Sequence, residues 1–439
     1  MGILERAAAV AKEAELYEEF REGIAVSFRG GELEKVKSEA VLGRALRVIV
    51  DGKLGFASTA GEEEEPLVEA ALASAQHGDP APFSFPPLGG EARVEVLDPG
   101  ITALGPEELL SWGEEAVQEI KRAFPEVVLD VHLARGTTEI HIANTSGGER
   151  SEKRSYLDMG LEIQRIREGD VWLIWLSRSV RRRDDLDPKS LVNKALTYLE
   201  WGRETAEPPT GTPPVLFLPE GMVVLLLPLM LGFSGLSVHL GTSPLAGKLG
   251  QEVFDRRLTL VDQGTLPYGP RSASFDDEGV PTGTLTLVEE GVVQSFFHDL
   301  RSAALAGVEP TGNGLKGGLF GTSFRNPPSP GPRNLLVSPG EGSLEDLIQE
   351  MGEGIIVEGV IGLGQGNVQS GAFSNNVGVG FVVRNGKVVG RLKNTMIAGN
   401  AYQVLRHGIK AIGGDAEWCY GTYRAPAFLV EGVSVVARG

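Results

Sequence analysis

Cysteine is almost absent: Cys419 is the only one in 439 residues. No internal disulfide can form, and the chain suits a reducing compartment, so a cytoplasmic location is expected. Histidine is scarce as well, at positions 77, 132, 141, 239, 298 and 407. No two are four residues apart, so no helix offers the paired imidazoles of a common zinc motif. The Gly-x-Ser-x-Gly pattern of a serine nucleophile is missing. Positive charge is short too. A net charge of -18 argues against a surface built for nucleic-acid phosphates. The longest apolar run, residues 215–231 (VLFLPEGMVVLLLPLML), falls short of the ~20 residues needed to span a bilayer and is broken by Glu220 and Pro228. A buried core segment is expected there, and no membrane partner. The N-terminus (MGILER) lacks an apolar signal core and a Ser or Thr at position six, so neither secretion nor myristoylation is expected.

What remains is a soluble globular composition, 41% hydrophobic and 23% charged. The length calls for more than one core. Residues 3–20 show helical spacing of Leu4, Ala7, Ala11 and Ala14. Asp51-Gly52 suits a tight hairpin between ALRVIV and KLGFA. Pro106 and Asp187-Pro188 mark the starts of two further helices. Residues 127–143 and 157–180 are β-rich. The second half is rich in glycine and short strands, with hairpin turns at Glu290-Gly291 and Asn385-Gly386 and one evident helix opened by Ser343 and Asp346. The fold class expected is α+β. An N-terminal α/β domain with hairpins and helices (1–206) precedes a Pro-rich linker (207–214, EPPTGTPP) and a β-rich domain of mixed sheets (215–439).

Candidate chemistry is sparse. Glu220 is a lone carboxylate in the apolar run, and burying it unpaired is costly. A place at a helix N-terminus, with Pro219 opening the helix, would meet its charge with backbone N–H groups. His239, His298 and Cys419 could meet only through folding and are weak metal candidates. Cys419 has no adjacent base and reads as an inert thiol. Gly362, Gly364 and Gly366 (GLGQG) weakly suggest a phosphate loop, but no Lys-Ser/Thr pair follows. The run Arg178–Arg183 (RSVRRR) reads as a solvated strand end. Three stretches are more particular than scaffolding requires: FDDEGVP from Phe275, PTGNG from Pro310, and SGAFSNN from Ser370. From these, Asp276, Gly279, Asn313 and Gly314 are candidate site residues.

In order along the chain, DGKLGFAST, the apolar segment, FDDEGVPT, VVQSFFHDLRSA, PTGNG, MGEGIIVEGVIG, SGAFS, GFVVRNGKV and IAGN resemble the TldD/PmbA family, also labelled as modulators of DNA gyrase. The resemblance covers nearly the whole chain. It implies a cytosolic heterodimeric zinc metallopeptidase that degrades or trims small unstructured peptides. One subunit carries a His-Glu-x-x-x-His motif and a downstream cysteine ligand; the other, PmbA or TldE, lacks the motif. At the matching place this chain reads Pro219-Glu220-Gly221-Met222-Val223-Val224. Pro219 and Val224 stand where the histidines belong, only Glu220 matches, and Cys419 falls at the general place of the cysteine. The resemblance therefore implies the non-metal-binding subunit, no cofactor in this chain, zinc in a TldD-like partner, and unfolded peptides as substrates, with Asp276, Gly279, Asn313 and Gly314 as peptide-binding candidates. Expressed alone, such a chain could pair with itself through the same surface. Two other readings are an autonomous hydrolase with an unrelated metal site and a regulator that contacts gyrase as a protein.

Overall fold

The computed structural model describes residues 2–61, 64–89, 93–167, 169–318, 321–365 and 367–437. Gly366 of the GLGQG stretch lies outside them. The fold is mixed α+β, with a curled sheet in the first half and a mixed sheet in the second.

The first sheet is antiparallel, in the order β3-β2-β1-β4-β5-β6. Its strands are β1 Glu13–Arg29, β2 Glu32–Val50, β3 Lys53–Ala60, β4 Val128–Asn144, β5 Glu149–Arg167 and β6 Asp170–Val180. Asp51 and Gly52 both take positive φ (51° and 76°), the backbone that a two-residue hairpin with the right twist requires. The N-terminal helix is shorter than its spacing suggests. It ends at Ala8, and the chain turns into β1 at Glu13. The same residues also alternate: Ala14 and Leu16 enter one core while Tyr17 enters another. Pairing with β2 on one side and β4 on the other decides for the strand.

Two helices pack on one face of this sheet, Pro106–Ala123 and Pro188–Trp201. The second begins as its sequence predicts, with the Asp187 side chain accepting from Lys189 N at 3.0 Å. Their core continues into the second sheet through Leu216, Leu218, Ile356, Phe381 and Leu429. The two halves of the chain thus share one hydrophobic cluster.

Among the described residues the second sheet has twelve strands. At its centre β7, Val215–Phe217, runs parallel to Gly354–Ile361 and antiparallel to Tyr423–Val430. Buried on both sides, β7 reads as a continuous apolar run. After a turn at 219–222 the chain forms the buried helix Val223–Gly232. In the second half the sequence marks Leu344–Met351 clearly, this helix only by an expected start at Pro219, and Leu300–Ala306 not at all. A helix apolar all round has no amphipathic period to reveal it. The expected core placement of residues 215–231 holds. No helix among the described residues is long and apolar enough to cross a membrane.

Candidate functional site

Glu220 is not alone. It sits in the turn between β7 and the helix Val223–Gly232, beside Lys194, Glu358, Glu417 and Cys419. Lys194 comes from the helix Pro188–Trp201, Glu358 from the strand Gly354–Ile361, and Glu417 and Cys419 from the end of the strand Ile409–Cys419. Lys194 Nζ lies 3.1 Å from Glu358 Oε1 and 3.2 Å from Glu417 Oε2. Arg178 of β6 donates to Glu417 Oε2 at 2.9 Å and to the Trp418 carbonyl at 2.6 Å. The Tyr423 hydroxyl donates to the Pro219 and Glu220 carbonyls, both at 3.1 Å, and fixes the turn.

Burial dominates the ionisation here. It pushes the Glu220 carboxyl up to about 8, and the Glu358 charge adds to the shift. Glu358 is raised by burial as well, against the opposing pull of Lys194 and Tyr198. Burial would lower Lys194, but Glu358 and its other anionic neighbours outweigh it and raise the ammonium well above its usual range. Glu417 is pushed up by burial and pulled down further by Lys194 and Arg178, so it stays below the usual carboxylate range. Burial and the Glu220 carboxylate raise Cys419 well above an ordinary thiol, which makes it a poor nucleophile. The expected helix N-terminal role for Glu220 does not describe this place: the side chain meets other carboxyls and a lysine, and its affinity for a proton rises instead of falling.

A raised carboxyl has a definite effect on stability. Between its ordinary 4.5 and about 8 the folded chain holds a Glu220 proton that the unfolded chain has lost. Stability from this group is therefore intact at low pH and is lost as pH rises through that window. Glu220→Gln should gain roughly 2 kcal/mol over the native chain at pH 9, less than the about 5 kcal/mol of the full shift because Glu220 is only half-buried, and nothing at pH 4, read by urea unfolding at both values. A difference independent of pH would contradict the assignment.

Beside this network lies a cavity of about 750 Å³. One wall is the polar face of the first sheet, with Tyr17, Arg21, Arg154, Asp158 and Ser177 to Arg181. The other carries Arg271, Asp277, Arg333, Trp418 and Tyr420. Arg178 lines the cavity and binds Glu417, so the cavity adjoins the Glu220 network.

The peptide-binding candidates stand behind this wall. Asp276, Gly279, Asn313 and Gly314 are buried and serve to lock two loops together. Asp276 accepts from the Glu278, Val280 and Gly314 amides at 2.9 Å each. Asn313 donates to Asp262 at 2.7 Å. Gly279 takes φ 77°, and a Cβ on Gly314 would fall 2.3 Å from a Glu278 carboxylate oxygen. Their neighbours Asp277 and Leu315 reach the cavity. The weak metal candidates are dispersed. His239 is exposed, His298 is buried against Gly235, and Cys419 belongs to the Glu220 network. Among the described residues, no group of three or more His, Cys, Asp or Glu is placed to hold a metal ion.

The family model described as the PmbA/TldA metallopeptidase C-terminal domain matches residues 210–437, and that for PmbA/TldA metallopeptidase domain 1 matches residues 14–75. The chain belongs to the TldD/PmbA family. An uncharacterized protein of Methanocaldococcus jannaschii is 26% identical over 402 residues, 88% of each chain. A Thermotoga maritima structure, described as a candidate modulator of a DNA gyrase, is 27% identical with a TM-score of 0.84 over 99% of both chains. TldE from Thermococcus kodakarensis shares the fold, with a TM-score of 0.87 over 99% of both chains at 24% identity. The elements that build the TldD/PmbA fold here are the ones that bring Glu220 and Cys419 together.

Lys194, Tyr198, Glu358 and Glu417 are the site residues that the sequence does not single out. The first three left a signal. Lys194 and Tyr198 lie one turn apart, among the buried Leu191, Ala195 and Leu199 of their helix. Glu358 interrupts an apolar strand (GIIVEGVI) as Glu220 interrupts its own segment. The run Arg178–Arg183 also differs from its reading as a solvated strand end: Arg178 and Arg181 line the cavity, and only Arg182 and Arg183 are exposed.

Proposed function

We propose that this chain is the non-metal-binding subunit of a two-chain TldD/PmbA-type peptidase, and that its cavity receives an extended segment of an unstructured peptide. The observation that carries this reading is Lys194. Its ammonium lies between Glu358 and Glu417, where it neutralises the acidic cluster that a cation would otherwise be needed to balance. A zinc ion needs neutral imidazoles, carboxylates or a thiolate with open lone pairs. Pro219 and Val224 offer none, Cys419 holds its proton, and a lysine ammonium repels a second cation. The donor set does not fit zinc, and no catalytic step is assigned to this chain. Zinc belongs, on this reading, to the partner subunit.

Two features favour a partner and a peptide. Val128, Ile166, Val171, Leu173 and Trp175 are exposed, and the register of β4 to β6 puts all five on one face, the face that forms the cavity wall farther along β6. An apolar patch of this kind is what an assembly covers. β6 is also the edge strand of its sheet, and an extended peptide can be read there through its backbone.

The test is co-expression with a TldD-type chain from the same genome. The two should co-elute on size exclusion and cleave an unfolded casein-like substrate, with stoichiometric zinc in the complex and none in this chain alone. Trp175→Glu should release the partner. Zinc bound by this chain alone, or chelator-sensitive peptidase activity lost in His298→Ala, would overturn the reading in favour of an autonomous hydrolase.

A further inference from the structure

The cavity wall carries more positive than negative side chains, in a chain whose net charge is -18. Arginine and lysine number seven there (Arg21, Lys35, Arg154, Arg178, Arg181, Arg271, Arg333), against the four carboxylates Glu19, Glu39, Asp158 and Asp277. The excess is concentrated at Arg154, Arg181, Arg271 and Arg333.

Several of their hydrogen bonds go to neutral carbonyls, and Glu152, Asp262, Asp276 and Asp277 are the acids nearby. Arg333, buried, donates to the carbonyls of Gly312, Arg271 and Phe275 at 3.3, 3.0 and 3.1 Å. Arg181 donates to the carbonyls of Pro270 and Ser272 at 2.8 and 2.9 Å. A carbonyl satisfies an N–H group without cancelling the cationic charge, which those acids offset from within the fold. Arg154 pairs with Glu152 at 2.6 Å, yet its Nη2 is buried with no hydrogen-bond partner. Burial and the nearby Arg154 charge push Arg181 down to about 9. Burial and Arg333 push Arg271 down to about 10. An anion in the cavity would complete the cluster at the buried Arg154 Nη2 donor.

We propose that this arginine cluster binds a carboxylate of the peptide, so that the cavity selects peptides that present one there. The proposal rests on the peptide-binding reading above. Guanidinium groups match a carboxylate with parallel N–H donors, and such charge-assisted pairs are about twice as strong as neutral ones. The carboxylate has two sources, the C-terminus of the peptide or an Asp or Glu side chain. Trp418, Tyr420 and Leu315 supply apolar surface on the same wall for neighbouring side chains.

Fluorescence anisotropy on the full chain tests this with four labelled octapeptides of one neutral sequence: free acid, C-terminal amide, and each with one central Glu. The free acid or the Glu-containing amide should bind about tenfold or more tightly than the neutral amide, and which of the two does so names the source. Raising salt from 50 to 500 mM should reduce that ratio several-fold, because the attraction is ionic. Arg181→Gln should bring the ratio close to one. The ratio and its salt dependence in the native chain stand as a test even if that variant fails to fold. Equal binding of all four peptides overturns the carboxylate proposal and leaves the peptide cleft standing. No binding by any of them overturns both.

Discussion

Lys194→Met should destabilise the chain by about 3 kcal/mol, the largest effect expected in the Glu220 network. The reason is what the substitution leaves behind. Glu358 is only 2% exposed, and its nearest cation is Lys194 Nζ at 3.1 Å. Removing one partner of a buried ion pair strands the other charge where water cannot reach it, which typically costs about 3–5 kcal/mol. The lower end applies because Lys194 is itself 16% exposed and its second partner, Glu417, is 37% exposed. Urea unfolding at pH 7 reads the loss directly. The carboxyls left behind can escape the penalty by taking up protons, so the loss should shrink toward pH 5 and grow toward pH 9. Adding Glu358→Gln should restore at least half of the stability by removing the stranded charge. If Lys194→Met costs under 1 kcal/mol and shows no pH dependence, the cluster is not held together by this lysine.

Arg47→Met should cost as much or more, about 3–5 kcal/mol, because two buried carboxylates lose their cation at once. Arg47 of β2 lies 2.7 Å from Glu15 of β1 and 2.6 Å from Glu278 of the FDDEGVP loop, and all three side chains are at most 3% exposed. This ion triad joins the first sheet to the loop that carries Asp276 and Asp277. Glu278 also accepts from the Leu300 amide at 2.8 Å, which ties the helix Leu300–Ala306 to the same point. Burial pushes Glu278 up to about 8 even with Arg47 beside it. Its contribution to stability is therefore lost as pH rises toward 8, and without Arg47 that decline should be steeper. Thermal unfolding of the native chain, Arg47→Met and Arg47→Lys at pH 5.5 and 8.5 separates charge from shape. The methionine variant should lose far more at pH 8.5, and the lysine variant should recover part of the loss. Equal losses at both pH values would mean that packing of the Arg47 side chain, which also lies over the Phe85 ring at 5.0 Å, outweighs its charge.

Local features were legible in the sequence wherever a few adjacent residues decide the backbone. Asp51-Gly52 and Asn385-Gly386 form their tight turns because those residue types tolerate positive φ. Asp187 and Ser343 cap helices because their side chains reach free N–H groups two or three residues on. The stretch 13–20 was misread as helix because its spacing fits both periods, and only pairing with β2 and β4 chooses between them. The buried helix Val223–Gly232 is expected only as a start at Pro219, four residues too early, because a segment apolar on every side has no period to set its bounds.

By itself the sequence determined that Pro219 and Val224 contribute no metal ligand, that a carboxylate interrupts the central apolar run, and that many motifs follow the order of one family. These depend on residue identity and local chemistry alone. Only the tertiary structure decided what Glu220 faces. Lys194, Glu358 and Glu417 come from a helix and two strands far apart in the chain and meet through the packing of two sheets. Whether a carboxyl is charged depends on how deeply it is buried and on which charges stand beside it. Spacing along the chain reports neither, so the partners of Glu220 and the arginines of the cavity emerged only once the strands were paired.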